Sequence, residues 1–140
     1  MAEIGKDAMI KVVLASHGDL AKEMLNASVI LVGESPEVYA FGLQQGESVE
    51  EFLGEIRPMT EGITEENQLV FLCDLYGGTP FNVCNVLSMN NSNIALIYGA
   101  NLPILLEILL SRSGLDLKEL THNLTVKIPE SIGVLIREER

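Results

Sequence analysis

Short apolar runs alternate along this chain with longer segments whose apolar residues recur every three or four positions. Ile10 to Ala15 is almost continuously apolar and predicts a strand buried on both faces. Ala21, Met24, Leu25, Ser28, Val29 and Val32 then place small or apolar side chains on one helical face, and Gly33 is suited to stop that helix. Val38 to Phe41 reads as a short second strand. Ser48 and Glu51 have capping-box spacing over the stripe Val49, Phe52, Leu53 and Ile56, and Pro58 ends or kinks that helix. Gln68 to Cys73 is a third, strongly apolar strand, after which Thr79 is expected as an N-cap and Pro80 as the first helical residue. Asn93 to Tyr98 is the fourth strand, and Gly99-Ala100-Asn101-Leu102-Pro103 repeats the same turn, cap and proline. Asp116 opens a last helix with Leu117, Leu120 and Leu124 on one face, Pro129 closes it, and Ile132 to Ile136 reads as a final strand.

This alternation of strands and helices implies an α/β fold: a mainly parallel open sheet in three layers, with helices on both faces. A length of 140 residues fits one domain. Met1 to Ala8 lacks periodicity and is expected as a peripheral leader, with the domain spanning residues 9–140. No repeat or linker divides the chain.

Composition narrows the function. A net charge of −11 disfavours nucleic acid and anionic lipid, both of which are bound through lysine and arginine. The longest apolar stretch, around Leu102 to Leu110, is too short to span a membrane and contains Glu107, so a cytoplasmic protein is expected. Cys73 and Cys84 lack Cys-x-x-Cys spacing and read as reduced core thiols. The acidic cluster Glu61, Glu65 and Glu66 lacks the spacing of a calcium loop, and neither a metal nor a cofactor is expected.

The candidate chemistry lies at two strand-to-helix corners. His17-Gly18 follows the first strand, and Asp74-Leu75-Tyr76-Gly77-Gly78-Thr79-Pro80-Phe81-Asn82 follows the third. In open parallel sheets, ligands bind beyond the carboxyl ends of strands where crossovers diverge. If the first and third strands are neighbours, Asp74 can accept a hydrogen bond from one ring nitrogen of His17. That bond fixes the tautomer and leaves the other nitrogen as a nucleophile. Gly77 and Gly78 let the backbone approach an anion, Thr79 offers a hydroxyl, and the amides opening the next helix favour phosphate. A His-Gly pair, an Asp at a strand end and a Gly-Gly-Thr-Pro turn each occur as plain structural features. Their joint placement at carboxyl ends of strands points to transient phosphorylation of His17. The second histidine, His122, falls on the polar part of the last helix and reads as a solvated surface residue.

These segments resemble the IIA component of the mannose-type sugar phosphotransferase systems of bacteria. The likeness covers about residues 9–136 and rests on Ser16-His17-Gly18, the helix with Ala27-Ser28 ending at Gly33, Phe71 to Asn82, and Gly99 to Pro103. The resemblance implies that His17 receives phosphate from the carrier protein HPr and passes it to a IIB protein, feeding sugar uptake through a membrane permease. It implies Asp74 as the supporting carboxylate, with Gly18, Gly77, Gly78 and Thr79 around the phosphate. It further implies sheet order 2-1-3-4 and a homodimer able to exchange a C-terminal strand, here Ile132 to Ile136. The IIB partner is expected as a separate chain. The phosphotransfer subunit of dihydroxyacetone kinase, a regulatory domain reporting sugar flux, and a non-covalent small-molecule binding module remain alternatives. The sugar itself is not encoded in these motifs.

Overall fold

A computed structural model describes residues 9–138; the expected leader, Met1 to Ala8, lies outside the described residues. Four strands form one parallel sheet: β1 (Lys11–His17), β2 (Val38–Leu43), β3 (Leu69–Cys73) and β4 (Ile94–Ile97), in the order β2-β1-β3-β4. Helices α1 (Leu20–Val32), α4 (Leu102–Ser111) and α5 (Leu117–Lys127) cover one face, and α2 (Val49–Ile56) and α3 (Thr79–Ser88) cover the other. The three-layer α/β architecture agrees with the sequence pattern, and the strand order with the one that the family resemblance implies.

The alternation of side chains along each strand builds two cores. Val12 and Leu14 of β1 join Val70 and Leu72 of β3 on the α1, α4 and α5 side. Val13 and Ala15 join Leu69, Phe71 and Cys73 on the other side, where Phe52, Ile56, Val83 and Cys84 meet them. All five residues of β3 are buried, which is why that run carries no polar alternation. Each large side chain so buried contributes roughly 1.5–3 kcal/mol from removal of apolar surface from water. Cys73 and Cys84 are free and buried, and hydrogen bonding with Cys73 together with burial raises the Cys84 thiol above its ordinary range.

The helix signals act largely as read. Ser48 Oγ accepts from the Glu51 N–H at 3.1 Å, Asn101 Oδ1 from the Ile104 N–H at 3.0 Å, and Asp116 and Glu119 close a capping box. Gly33 ends α1 at φ 80°, and Pro58 falls in a 3-10 turn, Arg57–Thr60, that follows α2. One cap shifts: Gly78 is the N-cap of α3, and Thr79 and Pro80 occupy its first two positions. Pro80 tolerates the second position because first-turn amides have no intrahelical acceptor.

Arg112 was silent in the sequence and is the largest fully buried side chain. It stands just beyond α4, where its Nη1 donates to the carbonyls of Ile10 at 2.7 Å and Glu37 at 3.3 Å. Its Nη2 donates to Ser35 Oγ at 2.8 Å and to the Pro36 carbonyl. Burial lowers its pKa, and the nearby Glu37 charge opposes that shift. One cation thereby ties α4 to the start of β1 and to the segment leading into β2.

The strand expected at Ile132–Ile136 does not form within the single chain. The described residues beyond Ser131 carry no strand, and Ile132, Val134, Leu135 and Ile136 are 78–85% exposed. The apolar composition suits a strand, but a strand needs a neighbouring edge to bond, and the tail meets none in this single chain.

Candidate functional site

Chain direction creates the crevice. From β1 the chain crosses through α1 to β2 on one side, and from β3 it crosses through α3 to β4 on the other. β1 and β3 are paired neighbours, so their carboxyl ends meet where the crossovers diverge. His17 is the last residue of β1, and Asp74 immediately follows β3.

The structure brings these two residues together. Asp74 Oδ2 stands 2.9 Å from His17 Nδ1 and also accepts the His17 backbone N–H at 2.9 Å. One carboxylate oxygen therefore fixes both the strand end and the ring. The hydrogen between Nδ1 and an ionised carboxylate resides on the nitrogen, which leaves the Nε2 lone pair unprotonated in the neutral ring. The imidazole is 48% exposed and the Asp74 side chain 11% exposed, so the ring is open to solvent while the carboxylate that orients it is sheltered. Asp74 Oδ1 is buried without a hydrogen-bond partner. Asp74 and Ser16 are among the residues lining a cavity of about 10 Å³, close to the size of one water.

The glycines divide their work. Gly18 and Gly77 lie at φ 56° and 77°, in the left-handed region. Gly78 has φ −75°, yet a Cβ there would stand 2.8 Å from His17 Cε1 and 3.4 Å from Nε2. Gly78 is thus the wall against which the imidazole rests. Thr79 opens α3, and α1 opens at Leu20, so two helix N-termini lie close in sequence to the two corners. Their dipoles favour an anion there.

Several contributors escaped the sequence reading. Gly42 in β2 permits a close approach: a Cβ there would stand 1.9 Å from the Gly18 carbonyl oxygen. A glycine inside a strand was the available signal. Tyr76, Phe81 and Tyr98 form a mutual aromatic cluster, with ring centroids 4.9–5.8 Å apart. Tyr76 belongs to the Asp74–Gly78 loop, so this cluster borders the site, with Tyr76 and Tyr98 exposed at its rim. His122 is exposed on α5, as expected. Among the described residues, no three His, Cys, Asp or Glu side chains gather to hold a metal ion.

The fold and corners define an α/β protein with an exposed, carboxylate-oriented histidine at a switch point. Residues 11–125 match the family model described as "PTS system fructose IIA component". The fructose-specific EIIA component of Bacillus subtilis is 32% identical over 126 residues, covering 90% of this chain and 86% of that protein. The mannose-specific EIIAB component of Escherichia coli is 28% identical over 103 residues, covering 74% of this chain but 32% of that longer protein. The crystal structure of an EIIA phosphotransferase component from Streptococcus agalactiae superposes with a TM-score of 0.83 at 26% identity, covering 90% of this chain and 97% of that one. The chain belongs to the mannose-type family of EIIA components of the sugar phosphotransferase system.

Proposed function

We propose that His17 is a phosphoryl relay: it accepts phosphate from phospho-HPr and delivers it to a IIB protein, in support of sugar uptake and phosphorylation. The observation that carries this reading is the Asp74 Oδ2 to His17 Nδ1 bond, which leaves Nε2 unprotonated on a ring open to solvent. In the forward step the Nε2 lone pair attacks the donor's phosphorus and forms an N–P bond. The donor's own N–P bond breaks, and its nitrogen keeps the electron pair. The ring becomes positively charged, Nδ1–H stays bonded to Asp74, and the carboxylate stabilises that charge. The second transfer runs the same displacement toward the acceptor.

Gly77, Gly78, Thr79 and Gly18 are proposed to surround the phosphate, with Thr79 Oγ1 and first-turn amides as donors. The aromatic cluster beside the site supplies an exposed apolar rim of the kind a transient protein partner covers. No described helix is long and apolar enough to cross a membrane, which is compatible with the proposed cytoplasmic place. The proposed assembly is a homodimer in which the Ile132–Ile136 tail pairs with a partner's sheet edge; its exposed apolar residues support this. Residues 9–140 are proposed as the EIIA domain.

Phosphorus NMR after incubation with phosphoenolpyruvate, enzyme I and HPr tests the relay. An Nε2-phosphohistidine resonance is expected. A resonance of Nδ1-phosphohistidine would contradict the role given to Asp74, and the absence of any phosphohistidine would overturn the proposal.

A further inference from the structure

We propose that Ser16 is a positioning residue for His17, acting through the turn that carries the imidazole. Its rate readout rests on the phosphoryl-relay reading; its spectroscopic readout does not. Ser16 is 2% exposed, next to last in a strand whose other buried residues are apolar, and an apolar side chain would cost less to bury there. Its Oγ accepts the Ala21 N–H at 2.7 Å. Asp19, the N-cap of α1, makes no side-chain capping bond. The first turn of α1 is therefore capped from inside the strand, by the residue preceding the histidine.

The consequence for His17 is geometric. Between Ser16 and Ala21 the chain must leave β1 and enter α1 within one tight turn. Gly18 makes this possible at φ 56°, with its N–H donating to the Leu43 carbonyl at 2.8 Å. The Ser16 hydroxyl points back to the Gly18 carbonyl at 3.5 Å, and that same oxygen occupies the space left open by Gly42. His17 is thus flanked by two anchored residues: Ser16 to the helix and Gly18 to β2. Asp74 sets the rotation of the ring, and the Ser16 clamp sets where the ring is mounted. In-line displacement needs Nε2 within roughly 3–3.5 Å of phosphorus on the correct axis, so a small shift of the turn costs rate without changing any group that touches phosphate.

The test compares Ser16→Ala and Ser16→Thr with the unmodified chain by nitrogen-15 imidazole NMR and by single-turnover phosphoryl transfer from phospho-HPr. His122→Gln assigns the second imidazole. Ser16→Ala is expected to lower the maximal transfer rate about tenfold, leave the half-saturating donor concentration within about twofold, and mix the two neutral tautomers of His17. Ser16→Thr, which keeps the hydroxyl, is expected to restore both. Unchanged rate and tautomer in a folded Ser16→Ala chain, or loss of both in Ser16→Thr, would overturn the proposal. Should Ser16→Ala not fold, Ser16→Cys, a far weaker acceptor of similar size, is read by the same criteria. If the unmodified chain takes no phosphate, the relay fails, and the tautomer pattern alone decides the role of Ser16.

Discussion

Replacing Asp74 separates orientation from structure. Its Oδ2 carries two bonds, one to the His17 backbone and one to the ring, both 2.9 Å. The side chain is 11% exposed, so the ring bond is charge-assisted and only partly screened. A hydrogen bond to a charged group contributes about 1.5–3 kcal/mol, and each ~1.4 kcal/mol is tenfold in rate. Asp74→Asn keeps an acceptor for the backbone N–H but loses the negative charge that steadies the ring as it becomes cationic. It is expected to slow phosphoryl transfer roughly ten- to a hundred-fold with a near-normal melting temperature. Asp74→Ala loses both bonds and is expected to fall at or beyond the upper end of that range. Rapid-quench transfer from phospho-HPr measures the rate, and circular dichroism the fold. Rates within about twofold of the unmodified chain for both folded variants would show that Asp74 is a turn residue only.

Three further changes test separate parts of the account. Gly78→Ala places a Cβ 2.8 Å from His17 Cε1 at an ordinary φ of −75°, so the ring must swing from Asp74. A rate loss of about tenfold with little loss of stability is expected, and an unchanged rate would remove Gly78 as the wall of the site. Arg112→Met takes from the Ile10 and Pro36 carbonyls the only donor each has among the described residues, and thermal unfolding should show a loss of about 3 kcal/mol or more; less than about 1 kcal/mol would mean that the arginine cluster is not a staple. Tyr98→Ser removes an exposed ring packed at a tilt against Tyr76, centroids 4.9 Å apart. It should raise the half-saturating donor concentration by roughly five- to tenfold at unchanged maximal rate, and no change would take the aromatic rim out of partner docking.

Much of the architecture was legible because each strand reports its own burial. The runs Ile10–Ala15 and Gln68–Cys73 are apolar because both faces of β1 and β3 are covered, and that burial also places His17 and Asp74 at the strand ends. The caps Ser48, Asn101 and Asp116 were legible because a cap is a local matter of one side chain and a nearby amide. Thr79 misled by one position: Gly78 has no capping side chain but can adopt the extended N-cap conformation, and Pro80 is tolerated one residue further in. The partners of Ser16, Gly42 and Arg112 were illegible for a common reason, even where, as at Gly42, the residue type itself was a signal. Each of these residues acts on backbone that is distant in sequence or turned by a neighbouring glycine, and nothing in its own vicinity names that partner. The tail at Ile132–Ile136 shows the opposite failure, since its composition announces a strand while its bonding depends on a sheet edge that it does not reach within the single chain.

Intact-mass spectrometry at neutral or alkaline pH, after mixing the chain with phosphoenolpyruvate, enzyme I and HPr, tests the relay most directly. The account predicts one added phosphate that is acid-labile, absent from His17→Gln, and discharged when a IIB protein is supplied. A phosphate retained by folded His17→Gln, or none on the unmodified chain beside active HPr, would contradict it.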